Sequence, residues 1–168
     1  MINNASLRGK SNRGAGKLWE TLIDNSCKYY LEIGLADIEK TPEPMRVIQN
    51  VGKGRFMCCF EKMAQPDYKG TLKGGKAVVF EAKHTDTEKM NRNVISEEQE
   101  KKLNSHYEMG AECFVLISFS FNDYFRVPWN IFRDMKEVFG RKYVSAKDLE
   151  NYRVKMMGMR IDFLKSNK

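Results

Sequence analysis

Metal-binding and cross-linking side chains are scarce in this sequence. Its 168 residues include 2 histidines, His84 and His106, and 4 cysteines, Cys27, Cys58, Cys59 and Cys113, none of them in a CxxC pair. Spacing of this kind builds no zinc site. It gives no disulfide framework either, so the thiols are expected to be reduced and mostly buried. No apolar run reaches the ~20 residues of a membrane span, and the N-terminus lacks a charged and then apolar secretory pattern. A soluble, cytoplasmic protein with no membrane partner is the expectation. Nothing repeats, no low-complexity stretch divides the chain, and its length suits one domain over residues 1–168 with a real core.

Positive charge is in excess: 29 Lys+Arg against 22 Asp+Glu, a formal net charge of +7. That balance favours a polyanionic partner through counterion release. Arg8, Lys10, Arg13 and Lys17 all precede Glu20, the first acid. With Gly9, Gly14 and Gly16 among them, residues 1–16 read as a flexible basic arm suited to following phosphates. A merely solubilising tail would have the same composition. Gly9-Lys10-Ser11 and Gly16-Lys17 do not form a nucleotide-binding loop, because neither has the required glycine spacing and no strand precedes either.

Chemistry concentrates in Asp67, Glu81 and Lys83. Residues 67–72 and 76–83 read as strands joined across Lys73-Gly74-Gly75. Alternation puts Glu81 and Lys83 on one face with Ala77 and Val79, and Val78, Phe80, Ala82 and His84 on the other. Two registers are open. A two-residue Gly-Gly turn pairs Lys73 with Lys76 and carries Asp67 opposite Ala82. A three-residue loop pairs Leu72 with Lys76 and sets Asp67 opposite Glu81. In the second register, or with an equivalent bulge near Gly70, the carboxylates raise one another's pKa unless a cation neutralises them. Mg²⁺ suits such oxygen ligands, and the Ala82 carbonyl offers another. A bound ion of this kind activates water and neutralises charge on a phosphodiester, and Lys83 would stabilise the transition state. On an ordinary half-exposed strand the same residues form only a solvated face.

The remaining pattern alternates. Residues 17–33 are expected to form a helix, 45–51 and 55–60 a hairpin across Gly52-Lys53-Gly54, and 97–109 a helix stopped by Gly110. A buried strand over 111–119, a short strand over 124–127 and a helix from Pro128 to Phe139 follow. Residues 146–152 read as helical and 160–164 as a last strand, giving a mixed α/β domain with helices around a sheet. Ser96-Glu97-Glu98-Gln99 has the form of a capping box, in which Gln99 reaches back to Ser96.

Pro66-Asp67 followed by Phe80-Glu81-Ala82-Lys83 is similar to the PD-(D/E)xK nuclease motif. In chain order, Asn12-Arg13-Gly14, Leu18, Glu20, Asp67-Tyr68, Gly70, Gln99, residues 113–119, Gly140-Arg141-Lys142 and Arg160-Ile161-Asp162-Phe163 resemble the RecU-type Holliday junction resolvases. The resemblance implies a restriction-endonuclease-like sheet and a protruding stalk at residues 45–65, carrying Arg46, Lys53, Arg55 and Lys62 towards DNA. It implies Asp67 and Glu81 as ligands of Mg²⁺, or Mn²⁺ in its place, with Lys83 as transition-state stabiliser and Gln99 at the metal site. Capping and the metal site thus compete for one side chain. Gln65 stands where that family has a threonine ligand, so a Gln carbonyl would have to substitute. The implied activity is resolution of four-way DNA junctions by paired symmetric nicks. A homodimer would perform it, alongside recombination or branch-migration proteins. The chain is shorter than bacterial members, which fits a phage-encoded version. A nuclease of the same superfamily acting on linear or other branched DNA, and a non-catalytic DNA-bridging or annealing protein, remain the rival readings.

Overall fold

Continuous apolar runs on the central strands make the centre of this molecule a sheet covered on both faces. The computed structural model describes residues 4–42, 44–60 and 65–164. Strands β1 (Ala36–Lys40), β4 (Tyr68–Leu72), β5 (Ala77–Thr85), β7 (Glu112–Phe119) and β8 (Asp123–Pro128) form one sheet in the order β1-β4-β5-β7-β8. Only β5 and β7 run parallel. Such a pair needs a crossover, and the link between them includes helix α2 (Glu97–Glu108). Between the first strands, β2 (Met45–Gly52) and β3 (Arg55–Phe60) form a separate two-stranded ribbon. A short pair, β6 (Met90–Asn91) and β9 (Tyr143–Val144), lies outside the main sheet.

Each face of the main sheet buries its own cluster. Helix α1 (Asn4–Glu32) sets Trp19, Leu22, Ile23 and Tyr30 against Val78, Phe80, Phe114 and Leu116. The opposite residues of the same strands, Val79, Val115 and Ile117, pack with Leu103 of α2 and with Trp129, Phe132 and Met135. Those last side chains come from α3 (Trp129–Arg133) and α4 (Met135–Phe139). No helix among the described residues is long and apolar enough to cross a membrane.

Four expectations need correction. The first helix begins at Asn4 rather than Lys17, so the backbone of residues 4–16 is helical. Gly9, Gly14 and Gly16 each cost a helix about 1 kcal/mol relative to alanine, which weakens it without terminating it. The helix expected up to Phe139 breaks at Asp134, whose φ of −92° and ψ of 30° interrupt the ladder between α3 and α4. The segment at 160–164 forms no strand and has only an isolated bridge, Met156 to Ile161. Side chains of α1 take over its backbone groups: Ile161 N donates to Ser26 Oγ at 2.7 Å, Leu164 N donates to Tyr30 Oη at 3.1 Å, and Tyr30 Oη donates to Ile161 O at 3.1 Å. Finally, β1 was not anticipated, because Ala36 and Ile38 are its only buried residues. Residues 146–152 are helical as expected, but of the 3₁₀ type.

Close approach of β1 to β4 explains a glycine. A Cβ on Gly70 would lie 2.0 Å from the Asp37 carbonyl oxygen and 2.6 Å from Ile38 Cα. Backbone cannot yield to that clash, so Gly70→Ala is expected to force β1 off β4 and to cost about 1–3 kcal/mol, the usual range for overpacking. A chemical-denaturation midpoint that drops accordingly supports the packing; an unchanged midpoint contradicts it.

Candidate active site

The hairpin between β4 and β5 adopts the three-residue loop. Leu72 N donates to Lys76 O at 2.8 Å, and the ladder runs Thr71 to Ala77, Gly70 to Val78, Lys69 to Val79 and Tyr68 to Phe80. Gly74 and Gly75 have φ of 96° and 89°, which side chains with a Cβ rarely adopt. Asp67 follows next in line and falls opposite Glu81. Its backbone oxygen accepts Thr41 N at 2.8 Å, and its Oδ2 accepts Ala82 N at 2.9 Å. Asp67 is therefore held by the end of β1 and by β5 at once.

Glu81 lies on the face of β5 that looks towards α2, and its side chain is 0% exposed. One oxygen, Oε2, accepts Lys83 Nζ at 2.8 Å and Gln99 Nε2 at 2.5 Å. The other, Oε1, is buried with no hydrogen-bond partner. Lys83 Nζ also lies 3.6 Å from Asp67 Oδ2. Asp67, Glu81, Lys83 and Gln99 thus meet at one point, although they come from a loop, a strand and a helix.

Gln99 caps its helix and reaches Glu81 with the same side chain. Its Oε1 accepts Ser96 N at 3.1 Å while Ser96 Oγ accepts Gln99 N at 3.2 Å, closing the capping box. The opposite end of the same amide donates to Glu81. Capping fixes which end points at the carboxylate, so Gln99 meets Glu81 as a donor while its Oε1 faces Ser96 N. Gln65 is similarly engaged, its Oε1 accepting Lys69 Nζ at 2.7 Å.

Burial pushes the Glu81 carboxyl up to about 8, with the nearby Asp67 charge adding to the rise and Lys83 opposing it. Burial also pulls on Lys83, but Asp67 and Glu81 outweigh it and hold the ammonium above its ordinary value. The close Lys83 to Glu81 contact therefore belongs to a site in which Glu81 still favours a proton near neutrality. Among the described residues no group of three or more His, Cys, Asp or Glu could hold a metal ion. The donor set is different: two carboxylates, one with an unpartnered buried oxygen. It fits a hard cation that keeps several waters.

Asp67 and Ala82 also wall a cleft of about 380 Å³, reached by Glu20 from the middle of α1. Glu20 is paired with Lys40 at 2.7 Å. On the α2 side lies a second feature, the grouping of Lys69, Lys102 and His106. Burial and Lys102 lower Lys69, while burial, Lys69 and Lys102 lower His106, so the two lysines crowd each other beside an imidazole whose charged form they disfavour. Residues from two distant elements make this patch, and no local pattern announces it. Lys17 is exposed on α1, and Arg46, Lys53 and Arg55 are exposed on the β2–β3 ribbon. The side chains of Arg8, Lys10 and Arg13, and all of Lys62, lie outside the described residues. The ribbon occupies Met45–Phe60 of the expected stalk.

Known proteins resemble this chain. A family model described as Recombination protein U matches residues 12–168. A protein of Streptococcus sanguinis named Holliday junction resolvase RecU is 32% identical over 116 residues, covering 66% of this chain and 56% of that protein. The Bacillus pumilus protein of that name is 29% identical over 168 residues, covering 92% and 80%. Its Bacillus subtilis counterpart is 28% identical over 155 residues, covering 88% and 75%. The matched stretch is thus about half of the streptococcal protein and most of the two from Bacillus. Among solved structures, Hjc, a Holliday junction resolvase of Archaeoglobus fulgidus, overlaps 77% of this chain and 89% of its own, with 11% identity and a TM-score of 0.47. With a family match that runs from residue 12 to the last residue and takes in the whole Asp67, Glu81, Lys83 and Gln99 cluster, this chain belongs to the RecU, or recombination protein U, family.

Proposed function

We propose that this chain is a metal-dependent endodeoxyribonuclease that resolves four-way DNA junctions by paired symmetric nicks, with Mg²⁺ as its working cation and Mn²⁺ able to replace it. The observation that carries the reading is the bare, buried Oε1 of Glu81 beside Asp67 and Lys83. A fully buried carboxylate with one oxygen unsatisfied costs several kcal/mol unless something cationic or hydrogen-bonding completes it. Its setting in a RecU-family chain makes a divalent ion the natural completion. Bound there, such an ion would supply Lewis acidity towards the phosphodiester and a water of lowered pKa.

The protein's own groups have separable tasks in this reading. Glu81 presents Oε1, because Lys83 and Gln99 both occupy Oε2. Asp67 uses Oδ2 to fix itself on Ala82 N and offers its other oxygen. Gln99 is a positioning residue, since its amide is oriented by the capping box and acts on Glu81. Lys83 aims a positive charge at the place where the pentavalent phosphorus would gather negative charge, and can hold the attacking water. Lys69, Lys102, Lys17 and the ribbon residues Arg46, Lys53 and Arg55 would contact phosphates, which position the duplex arms without reading sequence. Symmetric cutting of a near-symmetric junction favours a homodimer with two equivalent sites about a two-fold axis. Cytoplasmic action beside other recombination proteins, within a restriction-endonuclease-like fold, completes the proposal.

A labelled four-way junction and a matched linear duplex, each with Mg²⁺ or EDTA, separate this reading from its rivals. We expect metal-dependent symmetric nicks on the junction alone, with Asp67→Ala and Glu81→Ala each lowering the rate by about 10³-fold or more, at the upper end for loss of an electrostatic contact. Equal cutting of the duplex would favour a restriction-type enzyme. Binding without cutting, unaffected by either substitution, would favour a bridging or annealing protein.

Titration of Glu81 gives a second test. Its carboxyl is raised from 4.5 to about 8 on folding, so between those values the native state holds more protons than the unfolded chain. Stability of the metal-free protein should therefore fall as pH rises through that window. Glu81→Gln carries no titrating proton and should flatten this part of the profile. Parallel melting profiles for parent and variant from about pH 5 to 8 would contradict the assignment.

A further inference from the structure

The cleft beside Asp67 has a chemistry that phosphate binding does not explain. Its volume, about 380 Å³, lies at the small end of ligand-sized sites, which run to about 300–1,000 Å³. Among the described residues no lysine or arginine lines it, and its charged members are Glu20, Asp67 and Asp86. With no cation bound, these three acids would repel a polyanion there.

Three aromatic side chains form its walls, and each is locked from behind by another ring. Trp19 stacks on Tyr124 with centroids 5.6 Å apart and planes at 19°. Tyr68 stacks on Phe80 at 4.8 Å and 5°, while its hydroxyl donates to Asp24 Oδ1 at 2.8 Å. His84 stacks on Phe121 at 4.1 Å and 27°. Its two ring nitrogens are each 3.1 Å from an oxygen, Nδ1 from Ser118 Oγ and Nε2 from Asp86 Oδ1. Walls held this way lose little conformational freedom when something enters. Trp19 is 2% exposed, and its Nε1 is buried without an acceptor. An indole N–H in that condition normally has a partner.

We propose that this cleft receives one unstacked nucleobase of the junction, next to the phosphate that is cut, and that Trp19 Nε1 donates to a ring nitrogen or carbonyl of that base. A flat, neutral, heteroaromatic ring suits rigid aromatic walls, satisfies the lone N–H, and avoids the repulsion that a phosphate meets. Base pairs at a branch point are the ones least costly to open, since unstacking a base costs least where pairing is already compromised. The inference rests on the junction-cutting reading for the identity of the strand, because Asp67 belongs both to the cleft and to the cluster around Glu81. It assigns Trp19, His84 and Tyr68 to base recognition, a role the catalytic cluster does not need.

The test is a binding scan in EDTA, with a fluorescent four-way junction carrying a single abasic site at each nucleotide around the branch. The parent should bind about tenfold more weakly when one particular base is missing. Trp19→Phe keeps a ring against Tyr124 but lacks the N–H, and His84→Ala removes a wall. Each should bind that abasic junction and the intact one alike. A flat scan for the parent, or a position dependence that survives in both variants, would overturn the proposal. Circular dichroism identifies any variant that fails to fold, and the other then decides. Because EDTA prevents cutting, a flat scan sinks the base cleft alone, whereas continued cutting by Asp67→Ala sinks the nuclease reading alone.

Discussion

A single buried carboxylate organises the molecule. Glu81 sits on β5, with β4 on one side and β7 on the other, and no part of its side chain reaches solvent. Removing a carboxylate from water is unfavourable by several kcal/mol even after local relaxation. The chain answers for one of its oxygens, with Lys83 two residues along the strand and Gln99 from the facing helix. The other oxygen has no hydrogen-bond partner, and within the protein only a proton shared with Asp67 would answer it. Burial and Asp67 hold its pKa near 8, so an added cation would displace a proton as it binds.

Holding the partners of Glu81 in place falls to the scaffold around it. Asp67 reaches its position only because the loop closes at Leu72 and Lys76, and because β1 lies close enough on β4 for Gly70 to be required. Thr41, one residue beyond β1, takes the Asp67 carbonyl. On the other side, the cap of α2 orients the Gln99 amide with one end on Ser96 and the other on Glu81. The same hydrogen bond that starts a helix thereby aims a side chain into the site. Two apolar layers, one under α1 and one under α2 to α4, clamp the sheet between them and keep these distances fixed.

Much of this was legible in the residues, and the gaps have physical causes. Alternation along 76–83 put Glu81 and Lys83 on one face, and two glycines after Lys73 narrowed the turn to two registers. Choosing between them needed the contact of β4 with β1, a short strand with only two buried side chains. Gln99 looked like a choice between cap and site because a sequence does not show that an amide has two ends to use. The segment at 160–164 looked like a strand from its apolar residues, yet Ser26 and Tyr30 satisfy its backbone in place of a ladder. Lys69, Lys102 and His106 come together across elements, and so do the cleft residues Trp19 and His84. Neither grouping leaves any local pattern.

The account turns on what completes Glu81 Oε1. Anomalous diffraction from crystals of the parent protein soaked in Mn²⁺ observes this directly. A peak in contact with Glu81 Oε1 and the Asp67 carboxylate, lost in Glu81→Gln crystals, is the predicted result. Crystals that bind Mn²⁺ elsewhere, or not at all, while Oε1 stays bare would contradict it.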